Sequence, residues 1–192
     1  MRFYSVICSL FLLAACEAAP EGYALRPISF SDKSPISLNV ARIDVIENYK
    51  SPLAAPNVEH QFATSPAQAV RIWANERLRA VGTSGSLEIT IDDASVKEVK
   101  LPIKDGVRGF FTDDASERYD GVLSVTFRAY DGVNGLSRAE GSASITRSQS
   151  INEKATIADR EHLWHEMVRD MANAYDREAE LRLRQYFTPF IR

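Results

Sequence analysis

The fold class is decided by residues 123–145, whose sequence is LSVTFRAYDGVNGLSRAEGSASI. On both sides of a central turn, apolar or small residues occupy every second position, which is the period of a half-buried β-strand. The turn, DGVNG at residues 131–135, combines Asp, Asn and Gly, which favour a tight hairpin connection. This stretch therefore predicts two antiparallel strands that direct one face into a hydrophobic core.

Two segments before the hairpin show the same alternation. Residues 36–48 predict a strand whose alternation shifts by one position near Ala41, and such a shift indicates a bulge or a bend. Residues 87–103 predict a second strand, interrupted at Asp92-Asp93. The hairpin therefore has further strands with which to form a sheet.

Two helices are predicted to complete the fold. The run Ser65-Pro66-Ala67-Gln68 is typical of a helix start, because Ser is a good N-cap, Pro suits the first turn and Gln completes a capping box. We expect this helix to end at Gly82. A longer helix is expected from about Thr156 to Phe187, where apolar residues recur at intervals of three and four. The order of elements predicts an α+β protein, a two-layer sandwich of a mainly antiparallel sheet with two helices packed on one face.

The amino-terminal region has the pattern of an export signal. Arg2 is followed by an apolar run, residues 3–15, that is too short to span a bilayer as a helix. The run ends in Leu13-Ala14-Ala15-Cys16, and Ala18-Ala19 is a competing site of cleavage for an ordinary signal peptide. We expect a signal peptide at residues 1–15.

The segment Leu13-Ala14-Ala15-Cys16 resembles the lipobox of bacterial envelope lipoproteins. The resemblance implies cleavage before Cys16 and acyl chains on that cysteine, which anchor the protein in a membrane. It divides the chain into the signal peptide, a lipidated cysteine with a Pro-containing tether at residues 16–35, and a single α+β domain at residues 36–192. The tether alone would reach roughly 50 Å.

The order of elements is also similar to that of lipopolysaccharide-assembly, YajG-like and ABC-transport auxiliary lipoproteins. The first of these groups often continues from the cysteine with Gly-Phe, whereas this chain has Glu17-Ala18, which argues against that particular role. Asp after the cysteine favours retention in the inner membrane in some bacteria. Glu17 therefore favours the periplasmic face of the outer membrane.

Composition excludes several classes of function. The net charge is -3, so no basic excess indicates binding to nucleic acid. The chain has 2 cysteines, and the expected processing removes Cys8 and acylates Cys16. The mature domain then has no disulfide, no thiol nucleophile and no cysteine-liganded metal. We expect no cofactor.

Few side chains form a pattern that is typical of catalysis. His162 and His165 lie one helical turn apart, but a zinc site needs a third inward ligand and His60 lies in a distant loop. The acidic pairs Asp92-Asp93 and Asp113-Asp114 lack the spacing of a calcium loop and are expected to stabilise turns. The common catalytic motifs do not occur, and we do not expect an enzyme.

The candidate contact residues are Phe110 and Phe111, in a Gly- and Asp-rich segment, residues 104–120, that is predicted to be a loop. Two exposed aromatic rings there would contact a partner or lipid; the alternative is that one ring covers the end of the core. A second candidate is residues 53–62, within a long loop predicted at residues 49–64.

The chain as a whole predicts a lipid-anchored, periplasm-facing, non-catalytic accessory lipoprotein. We expect it to bind a protein partner in an envelope assembly or transport system and to reach the membrane through the acyl chains on Cys16. The alternative is a lipid or small-molecule carrier with a cavity between the sheet and the helices.

Overall fold

The computed structural model describes residues 25–102 and 115–192. Within these residues the chain forms a sheet of 5 strands, a separate sheet of 2 strands and two α-helices. The elements in chain order are β1 (Ile36–Leu38), β2 (Arg42–Glu47), α1 (Pro66–Arg77), β3 (Leu78–Ala80), β4 (Ser86–Asp93), β5 (Val96–Lys100), β6 (Ala115–Tyr130), β7 (Ser137–Asn152) and α2 (Ile157–Tyr186).

The hairpin of β6 and β7 forms the main part of the sheet. β7 pairs antiparallel with β6 on one side, and β4 and β5 pair antiparallel with successive parts of β6 on the other. β2 extends the sheet beyond β4 in the parallel direction. The sheet is therefore mainly antiparallel, and β5 continues the edge begun by β4 after an interruption at Asp93, as the sequence predicts.

Both helices pack on one face of this sheet. The alternating residues of β6 that point to that face, among them Phe127, have no solvent exposure. Trp73 of α1 and Tyr175 of α2 lie against Phe127, with ring centroids 6.2 and 6.4 Å from its own. The two-layer α+β sandwich is thus confirmed, and rings from both helices and the sheet fill its centre.

The first helix starts as predicted but ends earlier. The Ser65 hydroxyl accepts from the Gln68 backbone N–H at 3.2 Å, and the Gln68 side chain accepts from the Ser65 N–H at 2.9 Å. The helix ends at Arg77 instead of Gly82, because Leu78 adopts extended backbone angles and begins β3, which pairs in parallel with β1. Gly82 serves a close approach instead, since a Cβ there would lie 2.6 Å from the carbonyl carbon of Asn39.

The strand predicted at residues 36–48 is two strands. β1 pairs with β3 and β2 pairs with β4, so the chain changes sheets at residues 39–41. The shift of alternation near Ala41 thus marks a real bend, but the prediction of one continuous strand was wrong.

The last part of the predicted loop at residues 104–120 is a strand. Residues 115–120 are the first part of β6, where backbone pairing with β5 and β7 stabilises an extended chain of mixed polarity. The long helix, by contrast, matches its prediction closely: Thr156 and Asp159 form a capping box, and α2 runs from Ile157 to Tyr186.

The packed domain begins before residue 36. We call residues 26–34 the strap, because they lie across both helices. Ile28 and Phe30 are buried in the core, with 7% and 1% of their surface exposed. Burial of these two side chains ties part of the predicted tether, residues 16–35, to the packed domain.

Candidate functional site

The residues predicted to carry function lie outside the described part of the chain. Cys16 and the contact residues Phe110 and Phe111 belong to residues 1–24 and 103–114, of which the structure gives no description. Asp113-Asp114 falls there as well. Lipidation of Cys16 and aromatic contact by Phe110 and Phe111 therefore stay predictions.

The most developed polar cluster of the described residues fastens the strap to the helices. The carboxylate of Asp176, on α2, accepts hydrogen bonds from Lys33 Nζ at 2.6 Å, Arg77 Nε at 2.7 Å and Trp73 Nε1 at 2.9 Å. Asp176 and Arg77 are almost completely buried. A buried charge pair is tolerated when each group is hydrogen-bonded, and here one carboxylate joins the strap, α1 and α2.

The electrostatics of the cluster favour an ionised carboxylate. Burial alone would raise the pKa of Asp176, but hydrogen bonds from Lys33, Arg77 and Trp73 outweigh burial and hold its pKa below the usual value of 3.8. Arg77 also donates to Glu180 and to the backbone carbonyl of Ser34. These donors and acceptors satisfy one another, which is the arrangement of a structural latch rather than of a reactive group.

Further contacts fasten the other parts of the strap. The Glu76 carboxylate accepts from the Phe30 backbone N–H and from the Ser29 hydroxyl, the latter at 2.9 Å. At the start of the strap, His165 Nε2 lies 2.6 Å from the carbonyl oxygen of Arg26. The strap is therefore held by side chains of both helices from its first residue to its last.

His165 contacts the strap. Its side chain is buried and Nε2 contacts the strap. Within residues 25–102 and 115–192, no three His, Cys, Asp or Glu side chains come close enough together to hold a metal ion. At least one of the two histidines, His165, thus has a packing role.

The acidic pair at the end of β4 has turn-stabilising contacts. Asp93 Oδ1 accepts from the Ser95 backbone N–H at 2.9 Å, which shapes the turn into β5. Asp92 Oδ2 accepts from the Thr126 hydroxyl of the neighbouring strand at 2.7 Å. Both contacts agree with the interpretation that these carboxylates stabilise local structure.

A second buried carboxylate organises residues 49–64. Glu59 accepts from Tyr49 Oη at 2.6 Å, from the Ser51 hydroxyl and from the Val96 backbone N–H at 3.0 Å. Burial alone would raise the pKa of Glu59, but these hydrogen bonds outweigh it and lower the pKa below 4.5. Burial and the neighbouring carboxylate raise the pKa of Tyr49. The long loop is thus pinned to β5.

The candidate contact loop at residues 53–62 divides into two parts. Leu53 is 69% exposed and holds a positive φ of 55°, which is unfavourable for a residue with a side chain. Phe62, in contrast, is buried and stacks on Trp164 with ring centroids 4.8 Å apart. Leu53 therefore remains available for a contact, whereas Phe62 belongs to the core.

A small cavity lies between this loop and α2. Its volume is about 180 Å³, and its lining includes Leu25, Phe62, Trp164 and His165. Trp164 Nε1 is buried without a hydrogen-bond partner. This volume is below the roughly 300 Å³ at which small-molecule sites begin. Aromatic side chains fill the space between the sheet and the helices around Phe127. A more open groove of about 530 Å³ lies between the end of β7 and the first turns of α2, where Ile151 and Leu163 line it.

Sequence reasoning missed the latch residues. Lys33, Arg77 and Asp176 are scattered through the chain and carry no spacing signal. The alternation of Ile28 and Phe30 between Pro27 and Pro35 was the available indication that this segment packs against the domain. By its fold and its contacts, the protein is an α+β sandwich with a latched amino-terminal strap.

Comparison with known proteins adds distant similarities. No protein-family model matches the sequence, and no curated protein matches it. Among solved structures, a minor lipoprotein from Acinetobacter baumannii is 11% identical, with coverage of 76% of this chain and 92% of that one and a TM-score of 0.41. The rare lipoprotein B of Shewanella oneidensis is 14% identical, with coverage of 75% and 98% and a TM-score of 0.36. An uncharacterized lipoprotein B of Nitrosomonas europaea is 16% identical, with coverage of 82% and 90% and a TM-score of 0.39.

The described helices are also informative about the membrane. Neither α1 nor α2 is both long enough and apolar enough to cross a bilayer.

Proposed function

We propose that the protein is a lipid-anchored, non-catalytic accessory subunit of the bacterial cell envelope. The observation that carries the proposal is Leu13-Ala14-Ala15-Cys16 after a short apolar run. Acylation of Cys16 would hold the domain stably at a membrane, because a lipoprotein cysteine receives more than one chain. Glu17 after the cysteine favours the periplasmic face of the outer membrane.

The proposed task is to bind a protein partner of an envelope assembly or transport system. The filled core and the internally satisfied carboxylates of Asp176 and Glu59 support a binding role over a catalytic one. Phe110 and Phe111 are the proposed contact residues, and Leu53 is a secondary one because its side chain is exposed.

Metabolic labelling with a fatty acid tests the anchor. Cells that express the full chain incorporate the label into the wild type, and Cys16→Ser abolishes incorporation. Ala18→Ser serves as the control, because it alters the competing cleavage site and leaves the cysteine in place. A mature wild-type protein that is free in solution with an unmodified thiol would refute the proposal.

Crosslinking in living cells tests partner binding. We expect a discrete crosslinked complex for the wild type and several-fold less of it for Phe110→Ser with Phe111→Ser. The matched control is Val133→Ser, which removes an apolar side chain that is 93% exposed at the hairpin turn. A protein that stays monomeric with every crosslinker would contradict an accessory-subunit role.

A further inference from the structure

The strap decides where the amino-terminal segment leaves the domain. Leu25, just before the strap, lines a cavity together with Glu161, Trp164 and His165, all in the first three turns of α2. The Arg26 carbonyl oxygen lies 2.6 Å from His165 Nε2 on the same turns. The chain therefore leaves the domain beside the start of α2 and not at the middle of a layer.

The start of α2 lies at one end of the long hairpin. Tyr119, near the start of β6, packs edge-on against Trp164, with ring centroids 5.6 Å apart. Ala115 and Asn152 pair at that same end of β6 and β7. We call this end, formed by the start of β6, the end of β7 and the first turns of α2, the proximal end. The hairpin turn at residues 131–136 lies at the opposite, distal end.

The lengths of the tether and the domain differ. With the strap latched, the segment between Cys16 and Leu25 consists of residues 17–24, which span at most roughly 30 Å when fully extended. The hairpin strands of 16 residues each extend about 50 Å. Because this tether is shorter than the hairpin, it would keep the proximal end closer to the anchor than the distal end.

We propose that the latched strap orients the domain on the membrane, with the proximal end facing the lipid surface and the hairpin turn directed away from it. The segment that contains Phe110 and Phe111 joins β6 at the proximal end, so the proposed protein partner would bind beside the membrane. This inference rests on the proposed anchor at Cys16. The proximal end carries an apolar contact for a lipid surface in Ile157, the first residue of α2, which is 75% exposed. The strap would thus give the domain a defined orientation at the membrane.

Fluorescence quenching measures this orientation. The acylated full-length protein is placed in vesicles of phosphatidylethanolamine and phosphatidylglycerol that contain a headgroup quencher. A fluorophore is attached through Glu161→Cys at the proximal end, Ser144→Cys in mid-hairpin or Val133→Cys at the turn, all exposed positions. We expect quenching to be several-fold stronger at position 161 than at 133, with 144 between them. Equal quenching at the three positions, or the strongest at 133, would overturn the inference.

A second quenching experiment uses a variant in which the strap is released. Ile28→Asp with Phe30→Asp places a charge at each of the two buried positions of the strap but leaves Arg77 and Trp73 bonded to Asp176. The strap then detaches, because an unpaired charge is costly to bury. We expect the ratio of quenching at positions 161 and 133 to fall towards one, with an unchanged circular dichroism spectrum. An unchanged ratio would show that the strap does not orient the domain. The mass of the acylated protein separates these outcomes from failure of the anchor, since an unacylated chain would show no added mass.

Discussion

The carboxylate of Asp176 joins three segments that are far apart in the sequence. It contacts the strap through Lys33, α1 through Arg77 and Trp73, and it lies on α2. Because both Asp176 and Arg77 are buried, loss of the charge on one leaves the other without full compensation. Asp176 therefore contributes to the attachment of the strap together with the other contacts of that segment.

We therefore expect Asp176→Asn to lower the free energy of unfolding by about 3 kcal/mol. Urea denaturation followed by tryptophan fluorescence measures the change. The matched control is Asp120→Asn, which breaks an exposed ion pair with Arg118 and should cost less than about 1 kcal/mol. Equal effects of the two variants would show that burial adds nothing to the Asp176 pair.

The same carboxylates predict the dependence of stability on pH. The pKa values of Asp176 and Glu59 are lowered in the folded state. A lowered folded-state pKa stabilises the protein above the pKa of the unfolded chain, and this contribution is lost as pH falls through the folded-state value. We expect stability in urea to be nearly constant from neutral pH to about pH 5 and to fall below about pH 4.5.

The double variant Asp176→Asn with Glu59→Gln provides the comparison. It should have a lower stability at neutral pH and a shallower decline with acid, because two of the titrating groups are gone. A decline as steep as that of the wild type would assign the acid sensitivity to other carboxylates.

These residues also mark a limit of sequence analysis. The capping boxes at Ser65 and Thr156 were predictable because all of their members lie within four positions of one another. The partners of Asp176 lie 99 to 143 positions away in sequence, so only the tertiary fold brings them together. Phe110, Phe111 and Cys16 were predicted from local patterns, and their roles stay predictions.

Among the elements, the short strands were the least predictable. β1 and β3 have three residues each and pair with one another outside the main sheet. Residues 78–80 lay within the helix that the sequence predicted to end at Gly82, and parallel pairing with β1 overrode that local preference. The hairpin and α2 were predictable because their apolar periods extend over many residues.

Gly82 links these short elements, and its replacement tests the link. Gly82→Ala places a Cβ 2.6 Å from the Asn39 carbonyl carbon and 2.7 Å from the Val40 nitrogen, both backbone atoms that cannot rotate away. We expect a loss of about 1–3 kcal/mol in the free energy of unfolding. Val81→Ala, at a neighbouring side chain that is 48% exposed, should change it by less than about 0.5 kcal/mol. If thermal denaturation shows that the two variants lose the same stability, the close approach of Gly82 to Asn39 does not limit which residue can occupy position 82.

For the whole molecule, the distance between anchor and domain matters as much as the fold. With the proposed anchor at Cys16, a tether of residues 17–24 would hold the domain near the membrane and would raise the effective concentration of a partner at the same surface. Insertion of about 20 Gly and Ser residues between Ala24 and Leu25 lengthens that tether without touching the strap. We expect the free energy of unfolding to be unchanged and the yield of partner crosslinks to fall several-fold, because effective concentration declines as a linker grows.

The same Gly/Ser segment added after Arg192 is the matched control, and it should leave the crosslink yield unchanged. Acylation of both insertion proteins is verified by mass, so that loss of the anchor is not mistaken for the effect of distance. If the amino-terminal insertion leaves crosslinking at the wild-type level, the partner does not depend on a fixed height above the membrane. In that case the strap would stabilise the fold, and orientation would contribute nothing to binding.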